Sequence, residues 1–181
     1  MNKQPERTPL IGIVGGMGPA AGVDLSQKII MNTRARTDQD HLPQILYSDA
    51  KTIVDRTAFI LGKTKENPCY SIAEILLKLE SLGATVAGIP CNSAHAPPIF
   101  DGVSNELHKK KSRLKLLNMI DEVGSFIGSE FPGIKKAGIL GTTGIFVARP
   151  YDRIAENGLH AVYLSNESQQ RLHGAIYQIK A

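Results

Sequence analysis

Cys91 carries the most acid–base potential in this chain. It stands in Pro90-Cys91-Asn92-Ser93-Ala94-His95. A free thiol has an ordinary pKa of about 8.5, so a modest electrostatic push makes it a base or nucleophile near neutral pH. A loop between a strand and a helix supplies such a push through unpaired N–H groups at the helix start. The competing role of a free cysteine is that of a small buried hydrophobe. The asparagine, serine and histidine grouped around Cys91 favour chemistry. Cys69, between Pro68 and Tyr70, has no such company and reads as core. Two cysteines with no C-x-x-C spacing and no paired histidines support neither a disulfide framework nor a zinc site.

Other residues leave their readings open. Arg56, in Asp55-Arg56-Thr57, is equally an ordinary loop arginine or a fork for a substrate carboxylate, held by a neighbouring hydroxyl and carboxylate. His95 reads as a capping or packing histidine. His41 follows Asp38-Gln39-Asp40 but has no second histidine beside it, which argues against a metal. Gly12-x-x-Gly15-Gly16-x-Gly18 departs from the G-x-G-x-x-G register, and no clear ribose-binding acid follows at the right distance. That turn serves equally to bring backbone close to any small anion.

These residues must be positioned by the elements around them. Leu10 to Val14 reads as a buried strand, followed by a permissive turn, Gly15-Gly16-Met17-Gly18-Pro19. Leu25, Ile29 and Ile30 outline a helical face, and Gln44 to Tyr47 is strand-like. Ile72, Ile75, Leu76 and Leu79 fall on one face of a helix. Thr85 to Ile89 is the next strand, with Cys91 just past its carboxyl end, and Phe100, Val103 and Leu107 mark the helix that follows. The alternation then repeats. Leu114 to Leu117, Ala137 to Leu140 and Ala161 to Leu164 read as strands. Val123, Phe126 and Ile127, then Tyr151 and Ile154, then Leu172, Ala175, Ile176 and Ile179 read as helix faces. Alternating elements of these lengths predict an α/β fold with parallel sheets. Three loops at carboxyl ends of strands are rich in small and polar residues: 15–19, 91–95 and 141–144. Ligands bind at that edge of open parallel sheets.

Composition narrows the function classes. Hydrophobic residues make up 42% of the 181 and charged residues 21%, the profile of an ordinary globular protein. No apolar run approaches the roughly 18 residues of a membrane span, and the polar start lacks a signal-peptide h-region. The expected location is the cytoplasm, with no membrane partner. The net charge of +4 leaves nucleic acid or a small anion open on its own. The one dense basic run, Lys109-Lys110-Lys111-Ser112-Arg113 with Lys115, reads as a solvated helix end. With no Trp and no basic–aromatic alternation, nucleic acid is not expected.

Taken in order along the chain, six blocks resemble the aspartate/glutamate racemase family, most closely its aspartate racemase branch. They are Gly12 to Pro19, Asp38 to His41, Asp55 to Thr57, Pro90 to His95, Leu140 to Gly144 and Ile176 to Lys180. The cysteine block is the most specific. The resemblance implies two similar parallel-sheet domains, Rossmann-like or flavodoxin-like, facing a central cleft: 8–113 for the first and 114–181 for the second, which is incomplete. It implies homodimers, a dicarboxylic amino acid (aspartate or glutamate) as substrate, and no cofactor, neither pyridoxal phosphate nor metal. One cysteine thiolate removes the α-proton and a second cysteine, from the other domain, protonates the opposite face. On that pattern Cys91 is one acid/base. Asn92 and Ser93 hold the substrate carboxylate and amino group, and Ala94 lines the same loop. Arg56 and Lys180 bind the carboxylates, with Asp55 and Thr57 beside them, and Met17, Thr142 and Thr143 complete the contacts from the other two loops.

Three departures stand out. The family's second cysteine falls in a Gly-Cys-Thr-Glu-like segment beyond the position of Lys180, whereas this sequence ends at Ala181. Ser93 replaces the usual threonine, and Ile145 stands where a threonine is usual. The expectation is weak or absent racemisation by this polypeptide. Alternatives are a non-catalytic dicarboxylate-binding protein, a one-cysteine decarboxylase or isomerase of related families, and a nucleotide-binding module.

Overall fold

The computed structural model describes residues 8–180, the side chain of Lys180 excepted. The chain alternates strands and helices throughout: β1 Ile11–Gly15, α1 Pro19–Asn32, β2 Gln44–Ser48, α2 Arg56–Ile60, α3 Cys69–Ser81, β3 Val86–Gly88, α4 Pro97–Lys109, β4 Lys115–Leu116, α5 Met119–Glu130, β5 Lys136–Gly138, α6 Thr143–Ala148, β6 His160–Val162 and α7 Asn166–Lys180. Short 3-10 helices at Asp38–Asp40, Asn92–His95 and Pro150–Asn157 complete the path.

A four-stranded sheet has the order β2-β1-β3-β4, every pair parallel. β1 pairs with β2 on one side and β3 on the other, so the strand order reverses beside the carboxyl ends of β1 and β3. A crevice opens at such a reversal. Gly16 turns the chain out of β1 with φ +100, and a Cβ there would lie 2.7 Å from Ala50 N, so only glycine fits. Ile72, Ile75, Leu76 and Leu79 of α3 are all buried, as their spacing predicts, and share a core with Val14, Ala87, Ile89, Ile99 and Val103. Each such side chain contributes about 1.5–3 kcal/mol through removal from water.

The strand at Lys115–Leu116, grouped by sequence with the second half, pairs in parallel with β3, so the first sheet extends past residue 113. Beyond it, β5 and β6 form a separate parallel pair over a small core of Ile120, Ile154 and Leu159. α5 starts where the Asn118 side chain accepts from Ile120 N at 2.9 Å, a side-chain N-cap.

Four expected helix faces differ from what forms. Ile30 and Phe126 are exposed, because α1 packs through Gly22 and α5 through Ile120 and Gly124. Tyr151 and Ile154 lie on a 3-10 helix. In α7, Ile179 is 86% exposed while Gln169 is buried: this helix seats itself through polar side chains. Among the described residues, no helix is long and apolar enough to cross a membrane.

Candidate active site

All three glycine- and hydroxyl-rich loops meet at one cleft. A cavity of about 220 Å³ is lined by Met17 and Gly18 from the loop after β1, by Cys91, Asn92 and Ser93 from the loop after β3, and by Gly141 and Thr142 from the loop after β5. A second cavity of about 580 Å³ adjoins it, sharing Ser93 and Thr142 and adding Asp55, Arg56, Thr57 and Tyr177. Together they give ample room for a small-molecule ligand.

Cys91 precedes the 3-10 turn 92–95 in extended backbone. It is 6% exposed, with Sγ 3.9 Å from Ser93 Oγ. His95 beneath it is buried and stacked on Phe100. The Met119 backbone N–H donates to His95 Nε2 at 3.1 Å, so the ring proton sits on Nδ1 and donates to the Cys91 carbonyl at 2.9 Å. Burial pushes the His95 pKa down, against the smaller upward pull of that carbonyl. The expected packing role of His95 is thereby specified: it clamps the backbone of the cysteine loop.

Arg56 opens α2. Its Nη1 donates to Val54 O at 3.2 Å and its Nη2 to Met17 O at 3.5 Å. Nε is buried without a partner, and among the described residues no carboxylate comes within ion-pair distance of this guanidinium. Asp55 caps the same helix, accepting from Ala58 N at 2.8 Å and from the Tyr177 hydroxyl at 3.2 Å. Burial alone would raise the Asp55 pKa. The Ala58 N–H, the Arg56 charge and the Tyr177 hydroxyl outweigh it and hold the carboxyl below the ordinary value. With both oxygens engaged, Asp55 braces the loop. Thr57, buried, meets Thr142 hydroxyl to hydroxyl at 3.2 Å. This close approach needs Gly144, where a Cβ would stand 3.1 Å from Thr57 Oγ1.

The remaining residues singled out by sequence divide. Ala94 is fully buried beneath the loop and borders neither cavity. Thr143 starts α6, its N–H donating to His173 Nδ1 at 3.2 Å. Lys180 ends α7, and its side chain lies outside the described residues. Ile145 lines the inner cavity as an apolar wall. Cys69 is packed beside Gly102 of α4 and faces neither cavity; burial pushes its thiol up. Among the described residues, no cluster of three His, Cys, Asp or Glu side chains is arranged to hold a metal.

Sequence reasoning passed over Tyr177, Tyr151, Gln169 and His173. Three of them form the stripe on α7: the Gln169 amide donates to Gly141 O at 2.9 Å, His173 accepts from Thr143, and Tyr177 donates to Asp55. Their spacing of four residues is a helical face, so a signal existed, hidden by the apolar residues between. Tyr151 carried none. Its partner, Asn92, is 59 residues away.

Known proteins resemble the chain along nearly all of its length. A family model described as Asp/Glu/Hydantoin racemase matches residues 14–181. An aspartate racemase of Picrophilus torridus superimposes with a TM-score of 0.78 at 29% sequence identity, over 95% of this chain and 68% of the other. An aspartate racemase homologue from Pyrococcus horikoshii OT3 gives a TM-score of 0.68 at 25% identity, over 93% and 70%.

Proposed function

The chain belongs to the Asp/Glu/hydantoin racemase family, and from that premise we propose that Cys91, as thiolate, removes the α-proton of aspartate or glutamate without a cofactor. The observation that carries this reading is a cation bonded only to backbone carbonyls standing with a thiol along one continuous cleft. Arg56 lines the outer cavity and keeps a buried Nε without a partner, while Cys91 borders the inner one. A guanidinium with no protein carboxylate is ready for a substrate carboxylate. Aspartate supplies two, one for the Arg56 end and one for the Asn92–Ser93 end.

In the step proposed, the C–H bond breaks, its proton passes to Cys91 Sγ, and its electron pair spreads onto the adjoining carboxylate. Inversion then needs an acid on the opposite face. Among the described residues that wall offers the Thr142 hydroxyl and the apolar Leu140, Ile145 and Ile176, and no second thiol. The expected outcome is exchange on one face that outruns inversion. In deuterated water, this polypeptide should wash the α-proton out of L-aspartate while D-aspartate accumulates slowly or not at all. Cys91→Ser should lower the exchange by at least about 100-fold. Full-rate inversion surviving Cys91→Ser defeats the mechanism. The one-sided wall also supports a second reading, a dicarboxylate-binding protein without turnover. That reading predicts aspartate binding in calorimetry with no deuterium incorporation.

A further inference from the structure

Tyr151 takes no part in the proton transfer, yet its hydroxyl lies 2.5 Å from Asn92 Oδ1, linking the second half of the chain to the cysteine loop. An asparagine amide has an acceptor end and a donor end. With Oδ1 taken by Tyr151, the NH2 end is left for the cavity that Asn92 lines beside Cys91 and Ser93. Among the described residues Nδ2 has no protein acceptor and is not buried without one.

The tyrosine is itself held firmly. Its 3-10 helix is anchored by Ile154, 1% exposed, and by Arg153, whose Nε and Nη2 both reach Asp121 at 2.9 Å. Asp121 lies in the first turn of α5. The start of that helix, at Met119, is bonded to His95, and His95 to the Cys91 carbonyl. The links close a circuit: cysteine loop, His95, α5, Arg153, Tyr151 and back to the cysteine loop through Asn92. Burial also raises the Tyr151 pKa, so the phenol keeps its proton and donates it.

We propose that Tyr151 is a positioning residue: by donating to Asn92 Oδ1 it turns the Asn92 NH2 into the cleft. Asn92 thereby becomes a donor for a substrate carboxylate, and the acceptor role toward an ammonium group passes to Ser93. The identity of the ligand rests on the dicarboxylate reading above; the orientation of the amide does not.

The test is Tyr151→Phe in the full chain, with two readouts. Nitrogen-15 NMR of the Asn92 side-chain amide should show its resonances displaced or broadened once the anchor is gone. Calorimetry should show the Kd for L-aspartate and for succinate, which lacks the amino group, rising together by about tenfold, the loss of roughly one hydrogen bond to a charged group. On an Asn92→Ala background, Tyr151→Phe should change neither Kd further. Unchanged amide resonances and affinities overturn the proposal. So does a Tyr151→Phe effect that persists without Asn92, or a loss confined to L-aspartate. Should the wild-type chain bind neither ligand, the dicarboxylate reading fails, and the amide resonances alone still decide whether Tyr151 sets the orientation.

Discussion

His95 has one ring nitrogen accepting from Met119 N–H and the other donating to Cys91 O, which fixes both its tautomer and its charge. A second proton would set an N–H against an N–H in a buried site, with Asp121 favouring that charge and Arg153 opposing it. The folded pKa is therefore depressed, and the sign of the linkage follows. Above the ordinary histidine value of about 6.5 neither state holds the extra proton and the fold is unaffected. As pH falls below it, the unfolded chain takes up a proton that the folded chain refuses, so stability is lost. Denaturant titrations at pH 7.5 and pH 5.5 should show a fall in stability that is clearly smaller in His95→Gln. Equal losses in the two proteins would exclude His95 as the source. The same clamp bears on chemistry, because the Cys91 carbonyl sets where the neighbouring thiol points.

At the scale of elements, α7 shows why a helix can be held by what looks like its wrong face. Gln169, His173 and Tyr177 bond Gly141 O, Thr143 N and Asp55 in turn, seating the helix on the 141–144 loop and on the cap of α2. Gln169→Ala should leave the buried Gly141 carbonyl without its donor and cost about 1–3 kcal/mol, measured by chemical unfolding; a cost below about 0.5 kcal/mol would mean water replaces the amide. The apolar periodicity of Leu172, Ala175, Ile176 and Ile179 pointed to a helix there but to a neighbouring face, which is only partly buried. The α3 stripe was legible because four large aliphatic residues at helical spacing have only one place to go. So were the three strand-end loops, since small and hydroxyl residues past a buried strand mark the ligand edge. Links such as Tyr151–Asn92 and Thr57–Thr142 were not, because they depend on how the second half docks on the first, which no local pattern encodes.

The two halves of the molecule differ in what holds them. Around β1 and β3, the first has a continuous core built on α3 and α4. The second has two short strands and a small core of Ile120, Ile154 and Leu159, with Ile145 buried separately against the cleft. A two-stranded sheet is marginal without packing support. Polar links tie the second half to the first: Met119–His95, Tyr151–Asn92, Thr142–Thr57 and Tyr177–Asp55. All four fall on residues bordering the cleft or directly beneath the cysteine loop, so docking of the second half and geometry of the site are coupled. Native-state hydrogen exchange should then find the amides bonded between β5 and β6, such as Ile139 N to Val162 O, opening at lower free energy than those between β1 and β3. Saturating L-aspartate should raise the β5–β6 protection first, because a ligand that bridges both walls binds only the docked state. Equal protection in both sheets, with or without ligand, would show that the second half is stable in its own right and that the cleft is preformed.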